Sequence, residues 1–171
     1  MGSWTTGQER RLDEDRSSVR PVADPGSGKQ RVSRVPGIHV RSDRSPIIDV
    51  VYGPRACEDD LDRAFAEYAR LSRKGHRLGY LIDMREFDPV FGPAKIRRYA
   101  AELFQKHIDV LRPVTVCEAR VVSNAMTSGI VTAFDWLTGT KWPCRTFLSI
   151  ETAEEWVATH VRAKTSTSGR A

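Results

Sequence analysis

A chain of 171 residues with 40% hydrophobic side chains suits one compact domain and a tail. Its formal charge of +5 divides unevenly: residues 1–45 hold nine Lys/Arg against six Asp/Glu, and residues 46–171 eighteen against sixteen. The basic excess therefore sits in a mixed-sign arm, and a basic nucleic-acid-binding face is not expected of the near-neutral remainder.

Residues 1–35 carry Gly, Ser, Pro, Arg and Asp with almost no apolar periodicity, as in RSSVRPVADPGSGKQRVSR. Such a segment buries too little apolar surface to offset its ordering entropy, so it is expected to be a disordered arm. No apolar h-region follows the start, and Glu9, Asp13, Glu14 and Asp15 break the acid-poor pattern of a transit peptide. No stretch is long enough to span a bilayer, so a cytoplasmic protein is expected. Gly26-Ser27-Gly28-Lys29 echoes half a phosphate-binding loop, but Ala23 stands where its first glycine belongs and no strand precedes it.

Gly37–Arg41 alternates apolar and polar residues, Ser42–Pro46 supplies a turn, and Ile47–Tyr52 is rich in β-branched residues. Together they predict an antiparallel hairpin with the second strand more buried. From Glu58 to Lys74, Leu61, Phe65, Tyr68 and Leu71 form one helical stripe. Glu58, Asp59 and Asp60 complement the dipole of that helix, which Gly75 ends; a metal site would need a further ligand elsewhere.

Tyr80–Met84 predicts a central strand, with Asp83 near its carboxyl end, where open α/β sheets place ligands. Pro93 suits a first helical position. The following helix shows Ile96, Tyr99, Ala100, Leu103, Phe104, His107, Ile108 and Leu111 on one face, until Pro113 stops it. Arg120–Asn124 predicts the next strand and turn, followed by a helix whose stripe is Ile130, Ala133, Phe134 and Leu137, with Trp136 at its margin and Gly139 at its end. Cys144–Leu148 predicts the last strand. Thr152-Ala153-Glu154-Glu155 matches a capping box opening a final helix to about Arg162, and residues 164–171 form a frayed tail.

The order of elements is strand, strand, helix, strand, helix, strand, helix, strand, helix. This predicts an α/β fold with a mostly parallel sheet of about five strands, an opening antiparallel hairpin and four helices across residues 36–163. That order resembles the STAS-like fold of anti-sigma-factor antagonists and of the cytoplasmic domains of sulfate transporters. It is more closely similar to small bacterial stand-alone domains of the STAS/Sec14 type. The residues that carry the resemblance are the hairpin, YLIDMREF, RVVSNAMTSGIVTAFDWLTGTKWPCRTF and TAEEWV. The resemblance implies a non-enzymatic regulatory or protein-interaction module. In phosphoregulated members a serine follows the central strand; here MREFDPVFGPAKI has no Ser or Thr, so that switch is not expected.

Three groups stand out as candidate contacts. The loop Ser123, Asn124, Thr127, Ser128 and Gly129 opens a helix and could receive an anion on its backbone amides, or those residues could simply cap the helix. Asp83, Arg85 and Glu86 sit at a neighbouring strand end and could meet that loop across the sheet top. Trp142 lies in the corner TGTKWP, where an exposed aromatic would anchor a protein partner or a second copy of the chain. An anionic-ligand-binding protein or enzyme using Asn124–Gly129 is the alternative. No catalytic triad, cofactor motif or metal-ligand spacing is readable. Cys57, Cys117 and Cys144 are widely spaced and expected to be reduced, with Cys57 the exposed one.

Overall fold

The computed structural model describes residues 37–88, 94–139 and 141–167. The elements run β1 (Ile38–Arg41), β2 (Ile47–Tyr52), α1 (Glu58–Ser72), β3 (Leu78–Asp83), α2 (Ala94–Leu111), β4 (Thr115–Val121), α3 (Ala125–Thr138), β5 (Cys144–Phe147) and α4 (Ile150–Thr167). Among the described residues the chain is α/β, with the expected five strands and four helices. The arm at 1–35, Pro93 and the end of the tail lie outside the described residues.

The sheet order is β1-β2-β3-β4-β5, with β1 antiparallel to β2 and every later pair parallel. Each crossover from β2 to β5 steps one strand in the same direction. Right-handed crossovers of that kind place α1, α2 and α3 on one face of the sheet. The opposite face is covered by α4, which packs on β3 and β4. Side-chain alternation divides the core accordingly. Ile48, Val50 and Tyr80 pack with Leu61, Phe65 and Phe104 on the three-helix side. Leu81, Cys117, Ala119 and Val121 pack with Ala153, Val157 and Val161 of α4.

Local chemistry explains the helix ends. Cys57 is the N-cap of α1, and its backbone N–H donates to Asp60 Oδ2 at 3.0 Å. Asp60 also pairs with Arg63, and Glu58 accepts from Lys95 Nζ at 2.8 Å, so these carboxylates serve the helix and its neighbour. Burial works against the Asp60 charge, but the bonds from Cys57 and Arg63 outweigh it and hold the carboxyl below its ordinary range. Gly75, at φ 73°, closes the α1 turn in the left-handed region that glycine tolerates.

Several expected boundaries move. β3 starts at Leu78 rather than Tyr80, because Gly79 occupies a strand position directly under α4; a Cβ there would meet Val161 Cγ2 at 2.6 Å. β4 starts at Thr115 rather than Arg120, carrying Glu118 and Arg120 in a fully buried strand. The last helix opens at Ile150 rather than at Thr152: Thr152 N–H donates to Ser149 Oγ at 3.4 Å, one turn before the expected capping box. In α3 the inward stripe is Thr127, Val131 and Thr138 with Phe134 half-buried, whereas Ala133 and Leu137 are exposed. The side chain of Ile130 lies outside what is described.

Candidate functional site

The sheet-top residues are engaged locally. Arg85 forms a two-pronged pair with Asp83, Nε to Oδ1 at 3.0 Å and Nη2 to Oδ2 at 2.7 Å, and its backbone N–H also donates to Asp83 Oδ1. This bonding to Asp83 raises the affinity of the Arg85 guanidinium for its proton. Glu86 is exposed beside it.

The Ser123–Gly129 loop is a helix cap. Asn124 Oδ1 accepts from Thr127 N–H at 3.0 Å and lies 3.3 Å from Thr127 Oγ1, while Asn124 Nδ2 donates to Ser123 Oγ. Thr127 is fully buried beneath that cap, Ser128 N–H donates to Asn124 O, and Gly129 is exposed. Among the described residues no hydrogen bond or ion pair joins this loop to Asp83, Arg85 or Glu86. The two strand ends are nonetheless neighbours, since Asp83 pairs with Val121 and Met84 N–H donates to Val121 O at 2.8 Å.

Trp142 belongs to neither group. It is half-buried against Phe104, with ring centroids 5.5 Å apart, and its Nε1 donates to Glu118 Oε2 at 3.0 Å. Glu118 Oε1 accepts from Arg120 Nε at 2.5 Å, and Arg120 Nη1 donates to Asp135 Oδ1 at 2.5 Å. Glu118 and Arg120 stand two residues apart on β4, so both point to the three-helix side, into an otherwise apolar wall. Their side chains are about nine-tenths buried. Burial opposes the guanidinium charge of Arg120, but the carboxylates of Glu118 and Asp135 outweigh it and tighten its hold on the proton.

This network borders a cavity of about 130 Å³ between the sheet and α1, α2 and α3. Phe65, Ile82, Met84, Phe104 and Phe134 are in its wall, together with Tyr52, Tyr68, Tyr80 and Arg97. Tyr68 Oη lies near Tyr52 and Tyr80 Oη near Ser72, yet neither oxygen has a partner of hydrogen-bonding geometry. Burial pushes Tyr52 and Tyr80 up to about 12, and Tyr68 is raised by the same cause, so all three remain neutral phenols. Burial likewise pushes Cys117 up to about 12, and raises Cys144 further still. Cys57 Sγ lies 3.0 Å from Asp60 Oδ2. Among the described residues no group of three His, Cys, Asp or Glu side chains could hold a metal ion, and no helix is long and apolar enough to cross a membrane.

Sequence reasoning found Trp142 but not its partners. The available signal was Glu118 and Arg120 two apart within Val116-Cys117-Glu118-Ala119-Arg120-Val121, a spacing that puts opposite charges on one face of a buried strand. The exposed aromatic also differs from the expected one. Trp136, on the last turn of α3, is 86% exposed, with Leu137 beside it at 59% and Leu148 past β5 at 75%.

No family model, curated protein or solved structure matches the chain.

Proposed function

We propose that this chain is a non-enzymatic, regulatory interaction module, and that a protein partner docks on the outer face of α3. The observation that carries the reading is the 86% exposure of Trp136. Leaving an indole in water forfeits the burial energy of one of the largest apolar side chains, and tryptophan is a favoured anchor at protein interfaces. Ala133, one turn earlier, and Leu137 extend the exposed face along the helix. Exposed Lys141 and Arg145 follow in the chain and supply cationic residues for a polar rim.

The STAS-like element order adds support, since such domains work by docking other proteins. The stretch after Asp83 lacks Ser and Thr, so regulation here would rest on the partner rather than on phosphorylation at that position. Asp83 with Arg85, and Asn124 with Thr127, are bonded to one another, which is the behaviour of structural groups rather than of a poised acid, base or anion site.

The test compares the wild type with a Trp136→Asp/Leu137→Asp variant. Sedimentation across a range of concentrations reports self-association, and affinity capture from cell extract reports other partners. A complex formed by the wild type and lost in the variant, with circular dichroism unchanged, is the expected result. Equal self-association and equal capture by the two proteins would sink the reading.

A further inference from the structure

The cavity of about 130 Å³ between the sheet and α1, α2 and α3 is bordered by a charged donor that its own neighbours do not use up. Arg120 lines that cavity, and its side chain is 8% exposed. A guanidinium carries five N–H groups. Nε donates to Glu118 Oε1 and Nη1 to Asp135 Oδ1, while Nη2, with two of the five, has no partner among the described residues. Nor is Nη2 sealed by packing. Among the described residues, the fully enclosed side-chain polar atoms without a partner are the hydroxyls of Tyr68, Ser72 and Tyr80. Space wide enough for water therefore reaches Nη2, and the space that Arg120 borders is this cavity. Burying a cation is costly unless its donors are bonded, so an arginine kept here for structure alone would spend them within the wall.

Three features define a guest for that donor. The volume is close to that of an apolar cavity of about 150 Å³ known to accept benzene, so a single six-membered ring fits. The walls are mostly apolar, and the Phe134 ring lies 5.8 Å from Arg120 Cζ, so an apolar seat and the open donor adjoin. The third feature is charge. Glu118 and Asp135 already give Arg120 two carboxylates, a formal −1 at the cluster. A carboxylate on Nη2 would be a third, whereas a neutral oxygen accepts without that repulsion. A hydrocarbon fills the same space but shuts Nη2 away from water and returns no bond.

We propose that this cavity binds a compact, neutral, apolar compound with one accepting oxygen, a cyclic ketone in its simplest form, with the carbonyl oxygen on Arg120 Nη2 and the ring against Phe134 and Phe104. Glu118 and Asp135 then act as the groups that hold the guanidinium with its third nitrogen facing the guest.

The experiment titrates the full chain with cyclohexanone, cyclohexane and cyclohexanecarboxylate, following ligand resonances, the melting temperature and the ¹⁵N resonances of the Arg120 guanidinium. Cyclohexanone is expected to bind saturably, roughly tenfold more tightly than cyclohexane, which is the worth of a hydrogen bond to a charged group. The Arg120 resonances are expected to move with the ketone and not with the hydrocarbon. In Arg120→Met the two affinities converge; if that variant does not fold, the resonances of the wild type carry the same reading. In Ala100→Leu, which extends a lining side chain into the space, both guests are lost, and Val131→Phe serves the same purpose if that variant does not fold. Absence of saturable ketone binding overturns the site. Cyclohexane equal to cyclohexanone, or Arg120 resonances that stay still, overturns the role of Nη2. Arg97 of α2 also lines the cavity, and tighter binding of the carboxylate than of the ketone overturns the neutral class. Ketone binding that persists in the filled variant overturns the location.

Discussion

Replacing Arg120 by methionine tests whether the buried network is structural at the strength its geometry implies. The Arg120 side chain is 8% exposed and its neighbour Glu118 10%, so the methionine fills similar volume while withdrawing the charge that Glu118 faces. What remains is a carboxylate in an apolar wall with only the Trp142 N–H bonded to it. Removing one partner of a buried pair costs about 3–5 kcal/mol, most of it the penalty on the charge left behind. Glu118→Gln is milder, about 1–2 kcal/mol, because Arg120 keeps Asp135 and the amide oxygen can still accept. The double variant leaves no orphan carboxylate on β4, so its loss is expected to be smaller than the sum by about 2 kcal/mol. The assay is urea unfolding of all four proteins with linear extrapolation, repeated at about pH 7.5 and about pH 5. In Arg120→Met the deficit shrinks at the lower pH, since a protonated carboxyl no longer carries buried charge. An Arg120→Met loss below about 1 kcal/mol, or strict additivity in the double variant, would refute the reasoning.

Three further outcomes are expected. Gly79→Ala puts a Cβ at 2.6 Å from Val161 Cγ2 and 2.8 Å from Val157 Cγ1. Overpacking of that kind costs about 1–3 kcal/mol in urea unfolding, and adding Val157→Ala recovers part of it; an unchanged midpoint contradicts the close approach of β3 and α4. His107 is held below its ordinary range by burial, helped by Lys106 and Arg73. The unfolded chain then binds a proton the native state resists, so stability is lost as pH falls from the ordinary value of 6.5 through the folded one, and His107→Leu flattens that part of the profile in thermal melts. Of the three thiols, Cys57 alone is exposed, while burial raises Cys117 and Cys144. A thiol reagent should therefore modify one cysteine quickly in the native protein and three after unfolding, and Cys57→Ser should remove the fast phase.

The fold was largely legible because its signals are local and repeated. Leu61, Phe65, Tyr68 and Leu71 recur at helical spacing and are all buried, and the α2 stripe from Ile96 to Leu111 faces the core as its period requires. Where tertiary packing overrode local preference, the reading slipped. Gly79 looks like an interruption until α4 lies across it, and Glu118 looks like a residue before the strand that Arg120 begins, until the two neutralise each other inside β4. α3 shows the same effect in reverse. Its most apolar residues suggested an inward stripe through Ala133 and Leu137, but Thr127 and Thr138 face inward, and Thr138 Oγ1 is satisfied by Phe134 O. The candidate site was less legible for a related reason. Asp83, Arg85 and Asn124 have the residue types of a binding site, yet their partners are two or three residues away, and only the structure shows that these local bonds use them up.

α3 joins the cavity wall to the proposed docking face. Its inner side presents Val131 and Phe134 to the cavity, and its last turn carries Trp136 and Leu137 outward. Asp135, between those two sets, holds Arg120 and so ties the helix to the sheet, while Gln105 Nε2 donating to Thr138 O ties it to α2. Phe134 in the cavity wall thus belongs to the same short helix that offers Trp136, with the Arg120–Asp135 ion pair between helix and sheet. By linkage, any repacking of that wall that changes the affinity of the outer face for a partner is itself favoured or disfavoured by the same factor when that partner docks. The sign of that coupling depends on whether Arg120 and Asp135 stay paired when the wall repacks. Arg120→Met, which removes the restraint without touching the outer face, should therefore weaken the coupling while leaving Trp136 exposed.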